Sequence, residues 1–349
     1  MPLSSPKSMH ASAADRAACL AAIKTGSRTF YAASLVLPAA VREPAYGLYA
    51  FCRLSDDAID LGGGSPAALE RLRERLERAY LGRPMDHAAD RAFADFLWRF
   101  SVPRALPDAL LEGLAWDLQG RCYETIEGLH AYAARVAGTV GAMMTLIMGA
   151  RSRATLARAC DLGVAMQLTN IARDVGEDAR NGRIYLPLEW MREAGLDVEA
   201  FLADPVISEP LRGVVAKLLG EADALYARAR SGVADLPWDC RPAILAAGNL
   251  YAEIGREIER GSLDSINRRA RVSGSRKARL LARAVVASPW INAIDAAPPL
   301  DAVNFLIDAV EETPLPARAL RRKRQPVGPQ IARTLDMFAR LERAEQPGR

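Results

Sequence analysis

Apolar positions in this chain recur every three or four residues over long stretches, and alternating β-branched runs are nearly absent. Both features predict an all-α protein. The spacing predicts helices over residues 13–25, 39–61, 66–81, 87–100, 107–123, 129–150, 153–181, 187–194, 209–232, 240–260 and 275–286. Proline or glycine interrupts the pattern in most gaps, as in GGGSP (62–66), LGRP (81–84) and VADLPWD (233–239). No gap has the look of an interdomain linker, and there is no repeat of solenoid period. One helical domain over 13–290 is therefore expected, after a flexible lead of residues 1–12 and before a C-terminal segment, 291–349. Within that segment, IARTLDMFARLERAEQ (331–346) has the spacing of a final amphipathic helix.

Composition narrows the class. A hydrophobic fraction of 50% and a charged fraction of 25% belong to an ordinary globular protein. A net charge of +4 is too mild to imply a nucleic-acid partner, and none is expected. The basic residues are nevertheless uneven. Residues 265–283 hold Arg268, Arg269, Arg271, Arg276, Lys277, Arg279 and Arg283 with no acid; this is either an anion-binding stretch or a solvated helix face. The five cysteines are scattered without the close spacing of a zinc or redox motif, which fits a reducing, cytoplasmic setting. The N-terminus lacks the apolar core of a signal peptide. The most apolar window, Val136 to Ala150, is 15 residues against the ~20 a bilayer needs, so a buried helix is expected. The basic run Arg321, Arg322, Lys323 and Arg324 would allow a peripheral membrane contact.

Two stretches carry candidate chemistry. In RLSDDAIDLGGG (53–64), Asp56 and Asp60 stand four apart on a predicted helix and share a face, whereas Asp57 points about 100° away. In MQLTNIARDVGEDARNGRIYLP (166–187), Gln167, Asn170, Asp174 and Asp178 follow at steps of three, four and four, forming one polar stripe on an otherwise apolar helix. Such a stripe is ordinarily a solvent face; two amides and two carboxylates, all oxygen donors, suggest more. Two acidic pairs on separate helices can face each other across a bundle. Buried, each uncompensated ion costs several kcal/mol, so that arrangement calls for a cation. Oxygen ligands without His or Cys select a hard ion, Mg²⁺ before Mn²⁺ or Ca²⁺, and the open positions of Mg²⁺ suit a diphosphate. Gly138 and Gly141, inside an apolar helix with Met143, Met144 and Met148, allow either close helix packing or an apolar channel. A diphosphate beside such a channel describes a prenyl diphosphate.

YAFCRLSDDAID (49–60), YAARVAGTVGAMM (132–144) and QLTNIARDVGEDARNGRIYLP (167–187), with GSRTFY (26–31) and NRRARVS (267–273), resemble the squalene/phytoene synthase family in order from about residue 18 to 290. The resemblance implies an all-α, single-domain isoprenoid synthase bundle around a central apolar cavity. It also implies Mg²⁺-dependent head-to-head condensation of two prenyl diphosphates; the bacterial phytoene-forming branch is the nearest in look. The expected substrate is geranylgeranyl diphosphate and the product 15-cis-phytoene, reached through prephytoene diphosphate. No NADPH is expected, and downstream carotenoid enzymes are expected partners. By resemblance, Asp56, Asp60, Asn170, Asp174 and Asp178 bind the metal. Arg53 and Arg173 bind diphosphate, and Tyr251 and Gln167 line the reacting centre. Ser27, Phe30, Tyr49, Tyr132, Val136, Gly141 and Tyr185 contact substrate, and Arg268 and Arg269 clamp the second diphosphate. Relatives often carry an aromatic residue where this chain has Arg271. Alternatives are squalene or dehydrosqualene synthesis from farnesyl diphosphate, head-to-tail chain elongation, and a non-catalytic helical partner protein.

Overall fold

The computed structural model describes residues 9–60, 65–291 and 297–314. Fifteen α-helices lie within them and no strand does. They are α1 (Ala13–Gly26), α2 (Arg28–Ser34), α3 (Ala39–Asp60), α4 (Pro66–Tyr80), α5 (Ala88–Arg99), α6 (Ala105–Leu118), α7 (Ile126–Ala133), α8 (Thr139–Met148), α9 (Arg153–Arg180), α10 (Leu188–Glu193), α11 (Val198–Ala203), α12 (Glu209–Gly232), α13 (Arg241–Arg260), α14 (Gly274–Ala287) and α15 (Asn304–Glu311). Side-chain oxygens of Ser12, Ser65, Thr125, Ser152, Ser208 and Ser273 accept backbone N–H groups at the starts of α1, α4, α7, α9, α12 and α14. These caps satisfy donors that a helix start leaves open, so the chain begins its helices where the sequence pattern predicts.

Three helices were not legible in the apolar period. α2 and α11 are short, and α15 follows a proline-rich turn. α15 buries Leu306, Ile307 and Val310 in the main core, so the core extends beyond residue 290. Residues 10–12, which the sequence pattern put in the lead, are held in place. The backbone N–H groups of His10 and Ala11 donate to the Asp95 carboxylate at 2.8 and 2.9 Å, and Ser12 caps α1, so this segment is tied to α5. The tail from 315 onward, with its basic run and final predicted helix, lies outside the described residues.

The predicted helix 129–150 is one rod interrupted by a π-turn at Ala134–Gly138. From Ile126 to Met148 it is long and apolar enough to span a bilayer by length and composition, more than the 15-residue window suggested, yet it is mostly buried between α6, α9 and α15. Glycines set its approach to α9. A Cβ on Gly141 would lie 2.3 Å from the Ala159 carbonyl oxygen, and one on Gly163 would lie 2.4 Å from that of Ala137. α8 and α9 therefore meet backbone to backbone. Gly138 has ordinary space around it, and Met143 is buried in the core; Gly141, Met144 and Met148 line the cavity described below.

Gly163→Ala is expected to cost about 2 kcal/mol or more through overpacking, read as a fall in thermal midpoint. Gly220→Ala, on the exposed side of α12 with nothing within 4 Å of its new methyl, should be neutral or stabilising.

Candidate active site

α2, α3, the α7–α8 rod, α9, α12 and α13 enclose a cavity of about 670 Å³. Its walls are apolar over most of their length: Leu37, Val140, Met144, Leu162, Ala247 and Ile254 among others. One end is cationic, with Arg53, Arg173 and Arg269; the other closes on Thr155 and Arg158. The first half of the α9 stripe faces this space, where the opposite faces of α9 are filled by α8 and α12, whereas Asp174 and Asp178 lie beyond the lining, next to Arg173 and Arg269 at its cationic end. Gln167 and Asn170 line it directly. From α3 come Tyr49, Arg53 and Asp56, and from the α2 region Ser27 and Phe30. The Phe30 ring lies 5.1 Å from that of Tyr251 on α13, so two aromatic faces bound the centre of the cavity. Val136 reaches it from the π-turn, a feature that recurs at functional sites because it re-aims side chains.

At the cationic end the charges are already paired. The Arg173 guanidinium donates to Asp174, with Nε at 2.9 Å, and Arg269 donates to the same carboxylate at 3.2 Å and to Glu177. Across the cavity Arg53 is held by Asp57, Nε at 3.1 Å. Asp57, which points off the Asp56 face, thus orients a cavity arginine. Asp178 is less well compensated. Burial, then the charges of Asp174 and Glu177, push its carboxyl up to about 7.

Tyr132 and Tyr185 lie outside the cavity lining. Their hydroxyls donate to Asp117 at 2.9 and 2.8 Å, and their rings sit 5.3 Å apart beside Tyr123. Asp117 adds to the field that raises Asp178, so this buried group stands behind the carboxylates. Asp117 was missed in the sequence because a single acid at the end of an amphipathic helix resembles a solvent residue. Arg268 is exposed and lies over Gly261, also outside the cavity lining. Arg271 is exposed as well.

Arg269 is placed by a bent loop. Ser262 and Leu263 both take left-handed backbone angles (φ 59° and 57°), and Asp264 accepts from the N–H groups of Ile266 and Asn267. The loop then lies directly on α9. A Cβ at Gly176 would come 2.7 Å from Ile266, and Arg180 donates to the Ile266 carbonyl. Gly176, read before only as part of a motif, is the notch that brings Arg269 over Asp174; its mid-helix cost relative to alanine was the available signal.

Among the described residues no three His, Cys, Asp or Glu side chains converge as a cation site, and the side chain of Asp60 is not described. The donor set still fits a hard divalent cation. Asp174 and Asp178 present oxygen only, and the Asp178 carboxyl is raised first by burial and then by the charges of Asp174 and Glu177, both of which favour a bound cation.

A helical bundle around a long apolar cavity with a charged, arginine-rich mouth defines the class of all-α isoprenoid synthases. The squalene/phytoene synthase family model matches residues 23–276, and the chain belongs to that family. It is 50% identical over 304 residues to a phytoene synthase of Rhodobacter capsulatus, covering 85% of this chain and 90% of that one. It is 55% identical over 267 residues to a phytoene synthase of Cereibacter sphaeroides, covering 74% and 75%. The fold matches the crystal structure of a ligand-bound dehydrosqualene synthase with TM-score 0.73 and 32% identity, over 79% of this chain and 97% of that one.

Two outcomes are expected. Asp178 has a folded pKa raised from 3.8 to about 7, so its contribution to stability declines as pH rises between those values and the penalty is complete above 7. A divalent cation should therefore raise the thermal midpoint more at pH 8 than at pH 6, and Asp178→Asn should remove the difference. Separately, Gly176→Ala should displace the Arg269 loop and lower turnover ~10-fold or more, in steady-state assays, because small misplacements of binding groups are costly.

Proposed function

We propose that this chain is a phytoene synthase, a prenyltransferase that joins two geranylgeranyl diphosphates head to head to give 15-cis-phytoene. The observation that carries the choice of a C20 substrate is the depth of the cavity. Between Arg173 at its mouth and Arg158 at its floor α9 advances 15 residues, about 22 Å at the helical rise. An extended isoprene unit, four C–C bonds of ~1.5 Å in zigzag, covers about 5 Å, so four units fill that depth and three leave the floor empty. The floor is firm. Arg158 is 2% exposed and paired with Asp161 at 2.9 Å, which Arg228 also holds.

Ionisation of an allylic diphosphate places positive charge on the chain and negative charge on the leaving group. Arg53, Arg173 and Arg269 face the leaving group, and their present carboxylate partners would release them to it. Mg²⁺ held by Asp56, Asp60, Asn170, Asp174 and Asp178 would supply further electrostatic stabilisation of the departing diphosphate. The rings of Phe30, Tyr49 and Tyr251 and the apolar walls keep water from the cation, and the ring faces favour positive charge nearby. Burial holds the Tyr251 hydroxyl protonated, so it acts as a neutral wall. No nucleophile or reductant is needed for this sequence of steps.

Incubation with Mg²⁺ and geranylgeranyl or farnesyl diphosphate, with and without NADPH, is expected to give phytoene from the C20 substrate independently of NADPH. A C30 hydrocarbon as the main product would overturn the assignment. Asp56→Asn and Asp174→Asn should each reduce turnover about 100-fold or more, by loss of charge stabilisation at the leaving group.

A further inference from the structure

Part of the acid-free basic stretch is not used by the cavity. Arg269 joins the mouth, and Arg276 is held by buried Glu253 at 2.9 and 3.2 Å. Arg279 and Arg283, on the outer face of α14, are exposed and have no carboxylate partner among the described residues. The inner face is satisfied by Leu280, Leu281 and Ala284. The outer face then continues as Val286, 71% exposed, and Trp290, 78% exposed. Large apolar side chains protruding beside unpaired arginines are costly on a surface that meets only water.

The position of this face is fixed by the Arg276–Glu253 pair, which sets α14 antiparallel to α13. Counting equal rise along both helices puts the end of α14 level with the start of α13, and the turn at Ser288–Trp290 packs against α13. Trp238, 42% exposed, precedes α13 at that same end. The deep, apolar end of the cavity lies there too, lined by Val233, Leu236, Ala243 and Ile244.

We propose that the outer face of α14, with Trp290 and Trp238 at its apolar end, is a docking surface for an anionic lipid bilayer. Tryptophan suits the boundary between headgroups and acyl chains, and arginines on the same face meet the negative surface potential. Charge complementarity favours lipid as the occupant: Arg279 and Arg283 flank protruding side chains, not a groove that would receive a peptide. The geometry puts the floor of the cavity, not its charged mouth, toward the membrane. On the reading of the product as a long hydrocarbon, which this last point rests on, departure into lipid would avoid water.

The test uses the full chain and vesicle sedimentation, so it is independent of turnover. Binding is expected to vesicles of about one-third phosphatidylglycerol and to be weak on phosphatidylcholine alone. Tryptophan fluorescence should be quenched by brominated lipid. Val286→Ser with Trp290→Ala should lower the partition coefficient ~10-fold and remove most quenching, since buried apolar area sets such partitioning. Arg279→Gln with Arg283→Gln should weaken binding to anionic vesicles only. Thermal midpoint and turnover in detergent should stay as in the parent, which separates this surface from the active site. Parent-like binding by both variants would overturn the proposal. So would loss of all binding on neutralising residues 321–324 while the α14 variants bind normally, or failure of the parent to bind vesicles at all.

Discussion

At Gly141 and Gly163 two helix backbones touch with no side chain between them, and at Gly176 a loop backbone lies on the same helix. Those three contacts fix α9 in the molecule. With two of its faces closed by α8 and α12, Gln167 and Asn170 of the remaining stripe face the cavity, which converts that part of a polar row from a solvent face into a cavity wall. The third notch brings Arg269 from a distant part of the chain to Asp174. The charged mouth therefore depends on close packing as much as on the charged residues themselves; close-packed interiors transmit small displacements.

The mouth holds charges of both signs in close contact. Arginines in it are paired with carboxylates, and one carboxyl, Asp178, is raised by burial and then by the field of Asp174, Glu177 and Asp117. A cation and a diphosphate together would relieve both conditions, the first satisfying carboxylates and the second taking the arginines. Neither ion alone would do so as well. At the other end the charge logic is reversed. Arg158 and Asp161 are fully enclosed and committed to each other and to Arg228, so the floor is polar in composition but closed to exchange, and it limits length instead of binding an anion.

Much of this was legible along the chain. Of the helices α1 to α14, all but α2 and α11 follow the apolar period, and the i, i+4 step of Asp174 with Asp178 puts that pair on one face, because the α-helical repeat is set by backbone geometry alone. The local run of oxygen-bearing side chains on α9 was legible for the same reason. Short elements were not: α2, α11 and α15 have too few residues for a period to emerge, and packing against the core stabilises them.

Tertiary structure decided the rest. It assigned Tyr132 and Tyr185 to Asp117 behind the carboxylates, set Arg268 outside the cavity lining while Arg269 joined it, and made Asp57 the holder of Arg53. These outcomes turn on which of several adjacent residues faces which neighbour, and that depends on how helices far apart in sequence cross. The chain by itself determined the helices, their polar faces and the kind of chemistry those faces can perform. Cavity depth, the pairing of its charges and the exposure of Trp290 were decided only when the bundle closed, because each is a property of the space between elements.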